Sequence, residues 1–127
     1  MAGKITVSTI NDSSGVLATQ NGMTGIGKAW VNFDGTTGTI RGSFNVSSVT
    51  RSSTGVYVVV YTTAMPNANY AVTGCAGYTQ GGSAGNTGIV SILANTPLTT
   101  TQASFQTTYA TNNLQDDGTI CIAAFSS

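Results

Sequence analysis

The chain has 127 residues, of which only 6% are charged, four basic against four acidic, for a formal net charge of zero. One domain with a single core is the natural reading of that length. Four scattered cations cannot make a nucleic-acid footprint, and no apolar run reaches the roughly 18 residues of a membrane span. Polarity comes instead from Thr, Ser, Asn and Gly, which hydrate a surface without long-range repulsion, so a lone neutral subunit tends to associate with its own kind.

Residues 5–10 alternate as a strand with Ile5 and Val7 on one face, followed by Ile10 and an Asn-Asp-Ser-Ser-Gly turn. Val16 and Leu17 begin a second short apolar stretch, and the glycine-rich run over 21–27 leads away from it. We read residues 1–25 as an arm that attaches through Ile5, Val7, Ile10, Val16 and Leu17, and residues 26–127 as the main domain. The first residues carry no signal-peptide pattern, which points to synthesis and assembly in a host cytoplasm.

The main domain opens with a strand holding Trp30 and Phe33, then a turn at Asp34-Gly35. Residues 39–46 alternate, which puts Ile40, Gly42, Phe44 and Val46 on one face. A turn with Gly55 at positive φ leads into Val56-Tyr57-Val58-Val59-Val60-Tyr61, a strand apolar on both faces that asks to be covered twice. Pro66 ends the next segment, and strands follow at 70–75, 89–93, 103–109 and 119–125, with long loops at 80–88 and 112–118. No 3.6-residue stripe appears. This spacing of short strands predicts an all-β fold, an antiparallel sandwich with jelly-roll-like connections.

Reaction chemistry has little to stand on. Histidine and glutamate are absent, which removes the usual bases and proton shuttles. Asp116-Asp117-Gly118 reads as a turn rather than as a glycosidase pair, and a calcium site using Asp116, Asp117, Asn112 and Asn113 is the weaker alternative. The glycines at 22–27 lack a phosphate-loop ending. Cys75 and Cys121 lack zinc spacing and read as buried free thiols; whether they bridge is open from sequence. We therefore expect no catalytic residue, no metal and no cofactor. What remains is surface recognition by loop residues Tyr78, Gln80, Asn86, Tyr109, Asn112, Asn113 and Gln115, types that give contact area and hydrogen bonds at low entropic cost.

Three runs make the chain less anonymous: Lys-Ala-Trp-Val-Asn-Phe-Asp-Gly-Thr from Lys28, Ile-Arg-Gly-Ser-Phe-Asn-Val-Ser-Ser-Val from Ile40, and Gly-Val-Tyr-Val-Val-Val-Tyr-Thr-Thr-Ala-Met-Pro-Asn-Ala-Asn-Tyr-Ala-Val from Gly55. Together they resemble a domain near the C-termini of tail-fibre and related structural proteins of tailed bacteriophages, especially marine ones. The resemblance implies a knob-like, usually trimeric virion component exposed to the host surface. Trp30, Phe33, Phe44, Tyr57, Val59, Tyr61, Met65, Pro66 and Tyr70 then fall at core, corner and subunit-interface positions. The implied partners are copies of the chain, other virion proteins of the tail or capsid, and a host surface glycan or protein. The family domain usually ends a long fibre, whereas here it follows a short arm, so a capsid decoration or head-fibre role stands beside host attachment.

Overall fold

The computed structural model describes residues 27–77, 87–109 and 113–126, and these contain strands and no helix. The strands are β1 (Gly27–Phe33), β2 (Ile40–Phe44), β3 (Val46–Ser53), β4 (Val56–Tyr61), β5 (Ala71–Gly77), β6 (Thr87–Ile92), β7 (Gln102–Tyr109), β8 (Asn113–Leu114) and β9 (Thr119–Phe125). They form one antiparallel sheet in the order β2-β1-β9-β5-β6-β7-β4-β3, with β8 paired to β7. The sheet curls until β3 touches β1 and β2, so it is nearly closed. The interior is filled by alternate residues of four strands: Ala29, Val31 and Phe33; Tyr57, Val59 and Tyr61; Ala103 and Phe105; Ile120, Ile122 and Ala124. Burying each of the larger of these side chains is worth about 1.5–3 kcal/mol.

The alternation expected over 39–46 fails at two places, each with a local cause. Phe33 pairs with Ile40 and Asn32 with Gly42, so Arg41 is an extra residue in β2 and makes a bulge. Ile40 packs against the core, whereas Phe44 lies opposite Trp30 and is 55% exposed. Asn45 then turns the chain at φ 55°. Its Nδ2 donates to the carbonyls of Lys28 and Thr63, and its Oδ1 accepts from the Thr63 amide. Val46 returns to the core side. What reads as one strand is therefore two strands in one sheet, at opposite ends of the strand order.

Strand β4 is buried on one face only. Tyr57, Val59 and Tyr61 are buried, while Val56, Val58 and Val60 are half-buried. Gly55 takes the expected positive φ, 65°. After β4 the chain makes the expected corner: Met65 is buried and donates its amide to the Thr100 carbonyl, and Pro66 is exposed. Tyr70 is buried edge-on to Tyr61 and donates its hydroxyl to the Thr99 carbonyl. Burial pushes the Tyr61 hydroxyl well above its ordinary range and raises that of Tyr70, so both stay neutral donors.

Candidate functional site

The strand registers sort the connections by end. Phe33, Ile40, Val56, Gly77, Thr87, Tyr109, Asn113 and Thr119 fall at one end of the sheet, and Gly27, Phe44, Tyr61, Ala71, Ile92, Gln102 and Phe125 at the other. The β5–β6 and β7–β8 connections thus leave from the same end, and the chain enters β1 from the opposite one. Of the recognition residues singled out from sequence, Tyr109 and Asn113 face each other across the β7–β8 ladder, with Tyr109 37% exposed. Ile89 and Leu114 flank Thr108 on the adjacent register, 59% and 44% exposed. Gln115 is half-buried and serves the fold: its side-chain amide donates to Asp117 Oδ1 at 2.7 Å. Tyr78, Gln80, Asn86 and Asn112, like the arm residues Ile5, Val7, Ile10, Val16 and Leu17, lie outside the described residues.

The same end holds a polar node that the sequence presents only as a turn. Asp116 accepts from Arg51 Nε at 3.0 Å and Nη2 at 2.6 Å, from the Gly55 amide at 2.8 Å and from the Tyr57 hydroxyl at 2.8 Å. Burial alone would push its carboxyl up; these donors outweigh it and hold the group below its ordinary 3.8. Asp117 is fully buried with its Oδ2 unpartnered, and burial, then the neighbouring Asp116 charge, push its carboxyl up. Its main-chain oxygen accepts from the Gly35 amide at 2.9 Å, and Thr107 ties the segment down by donating its hydroxyl to the Gln115 carbonyl. Arg41 bridges Asp34 at 2.9 Å and the Gly118 carbonyl at 2.7 Å, closing the turn onto β2. Both carboxylates thus anchor the fold. The Asp116 oxygens are committed to Arg51, Gly55 and Tyr57, which weakens the calcium alternative.

A third feature lies on the outer wall formed by β2, β1, β9 and β5. Cross-strand registers set Phe44, Trp30, Ala123 and Thr73 in one row and Gly42, Asn32, Cys121 and Cys75 in the next. Trp30 is 46% exposed rather than in the core, because Ala29, Val31 and Phe33 take the inward positions of β1. A β-carbon on Gly42 would stand 3.5 Å from the six-membered ring of Trp30, ordinary contact, so the indole lies beside the glycine without requiring it. Trp30, Asn32, Thr73, Cys75, Cys121 and Ala123 line an open groove of about 460 Å³. Against the expectation of buried thiols, Cys75 is exposed and Cys121 half-buried; both are free, and they sit directly opposite each other on β5 and β9. Sequence separation hides that pairing, since only the strand order brings the two together. Asn32 Nδ2 donates to Cys121 Sγ at 3.3 Å, and burial, then the adjacent Cys75, push the Cys121 thiol above its ordinary value. Among the described residues no three acidic or thiol side chains converge on one point as metal ligands would.

Comparison with protein-family models, with curated proteins and with solved structures finds no match.

Proposed function

We propose that the protein is a structural component of a bacteriophage particle, a trimeric β knob that attaches by its N-terminal arm and meets the host surface with the loops at its far end. One observation carries the reading: the chain enters the sheet at Gly27, at the end opposite the β5–β6 and β7–β8 connections. A domain meant to be held at one end and to touch at the other needs that polarity. Tyr109 and Asn113, with Ile89 and Leu114 on the opposite face of the same ladder, give the far end exposed aromatic, amide and aliphatic side chains suited to an uncharged saccharide or protein surface. The work is done by contact, since the acidic pair is spent on the fold.

The sandwich form of the architecture belongs to the same proposal. Among the described residues β5 and β6 pair through Ala76–Gly88 and Gly77–Thr87 alone, which supports a sandwich whose two halves would be β2-β1-β9-β5 and β6-β7-β4-β3. The exposed Phe44–Trp30 pair supplies an apolar flank for the neighbouring subunits of a trimer.

The test uses the phage that encodes the chain and its host. Purified protein is expected to bind host cells and compete with adsorption, and Tyr109→Ala with Asn113→Ala to lose that binding while still joining particles. Absence of the protein from purified particles would overturn the proposal. If it is present in hundreds of copies on the head and does not bind cells, capsid decoration replaces host attachment.

A further inference from the structure

We propose that Cys75 and Cys121 form a dithiol site that exchanges with small-molecule disulfides and closes into a bond between β5 and β9, Cys75 being the entry thiol and Cys121 the resolving one. The inference does not rest on the function proposed above, although Trp30 lines the groove and also belongs to the flank proposed for the trimer. It starts from the register, which sets the two residues directly opposite each other on neighbouring antiparallel strands, on the outer face of the wall. Opposed residues in such a ladder have Cα atoms about 4.5 or 5.5 Å apart, and both values fall within the range of about 4.4–6.8 Å found for disulfides. Opposed β-carbons in such a ladder stand about 4.5–5.5 Å apart, at or beyond the upper end of the roughly 3.5–4.5 Å of disulfides, whose mean is about 3.8 Å. Closure must draw the two strands together. A bond made that way is the labile, readily reduced kind and not a permanent staple.

The surroundings divide the two roles. Cys75 is exposed at the groove, where a small disulfide reaches it first, while Cys121 is half-buried beneath it with the Asn32 amide pointing at its sulfur. In the first step the Cys75 thiolate attacks one sulfur of the small disulfide, RSSR. The R–S–S–R bond breaks, a Cys75–S–S–R bond forms, and one RSH leaves after taking up a proton. In the second step the Cys121 thiolate attacks the Cys75 sulfur and expels the second RSH. Two protein S–H bonds are lost, one S–S bond is gained, and the small disulfide is reduced to two thiols. Asn32 is a positioning residue: its N–H stabilises the thiolate that Cys121 must become. Because burial disfavours that thiolate, the second step speeds up as pH rises.

The full-length protein, kept dilute so that a second copy does not shield the groove, is incubated with oxidised glutathione at pH 8 and followed by intact mass. The wild type is expected to lose two hydrogens and keep no adduct, and a non-reducing peptide map to join the segments holding Cys75 and Cys121. Cys121→Ser should stop at a stable glutathione adduct on Cys75, and Cys75→Ser should react at least about tenfold more slowly, through the less accessible thiol. Asn32→Ala should accumulate the mixed disulfide with the first step unchanged. The wild type should also close at least about tenfold faster when folded than in denaturant, where the intervening chain must loop back on itself. Separate adducts on both cysteines, bridges between molecules, or equal closure rates with and without denaturant would each overturn the proposal.

Discussion

Removing the Asp116 carboxylate should unlock the end of the sheet on which the far loops stand. Its four donors differ in what they lose. Arg51 stays partly exposed, so solvent replaces much of that contact. Tyr57 is fully buried and the Gly55 amide belongs to a buried residue, so both face a polar deficit if the acceptor goes. A buried donor left without a partner costs about 1–3 kcal/mol, so Asp116→Ala should destabilise by about 3 kcal/mol. Asp116→Asn keeps an oxygen for Tyr57 or Gly55 and should cost only about 1 kcal/mol. Tyr57→Phe deletes the donor along with its need, and in the Asp116→Ala background it should recover part of the loss. Urea unfolding followed by circular dichroism measures all of these, with an unchanged m-value required for the comparison. The native carboxyl titrates below 3.8, so its stabilisation is present above that pH and is lost as the pH falls through the folded value. Asp116→Asn should lack that acid loss. Equal costs for the Asn and Ala variants, or an Ala variant within 0.5 kcal/mol of wild type, taken as roughly the scatter of a neutral surface substitution, would refute the reasoning.

Asp117 should behave in the opposite sense: its folded carboxyl is raised, so stability rises as the pH falls through that folded value, and Asp117→Asn should flatten this rise in a pH series of melting curves. Gly55→Ala puts a β-carbon 2.7 Å from the Gln115 amide nitrogen at φ +65°, and should cost more than about 3 kcal/mol in urea unfolding; Gly38→Ala, at φ +75° but with its nearest neighbour 3.5 Å away, should cost about 1 kcal/mol. Trp30→Ser and Phe44→Ser should leave urea unfolding of the isolated subunit within about 1 kcal/mol of wild type while weakening self-association in sedimentation velocity. Closing Cys75 to Cys121 removes loop entropy over roughly 45 residues, worth about 4 kcal/mol before strain is subtracted, so the oxidised protein should melt higher than the reduced one.

Much of the strand pattern is legible in the chain because the alternation has a single phase wherever the sheet is regular. β7 and β9 read directly from their sequences, and β4 reads as a strand even though its valines alone could face either way. The reading fails where one residue changes the phase. Arg41, as a bulge, sends Phe44 outward, and Asn45 at positive φ returns Val46 inward; neither residue type announces this in a Thr-Ile-Arg-Gly-Ser-Phe-Asn-Val run. Trp30, which the resemblance put at a core or subunit-interface position, is outside the core for a different reason, since the register gives the inward sites to Ala29, Val31 and Phe33. The Asp116–Arg51–Tyr57 node and the Cys75–Cys121 pair are invisible for a third reason. Asp116 lies 65 residues from Arg51 and 59 from Tyr57, Cys121 is likewise tens of residues from Cys75, and only the strand order joins them.

The sparse charge becomes informative once it is placed. Asp34, Arg41, Arg51, Asp116 and Asp117 all sit at the loop end of the sheet, where they pair or are buried. Lys28 is the one charged side chain among the described residues that lies toward the other end, near the start of β1. Between those end positions the described strands carry no charged side chain. A wall of that kind can be laid against a copy of itself without stripping water from an ion, which is the largest cost of burying ordinary surface. Where such a wall also carries Phe44 and Trp30 side by side, apolar gain is added with no desolvation of charge to offset it. In the lateral assembly proposed above, charge gathered at one end and withheld from the flanks would favour side-by-side packing over indiscriminate precipitation.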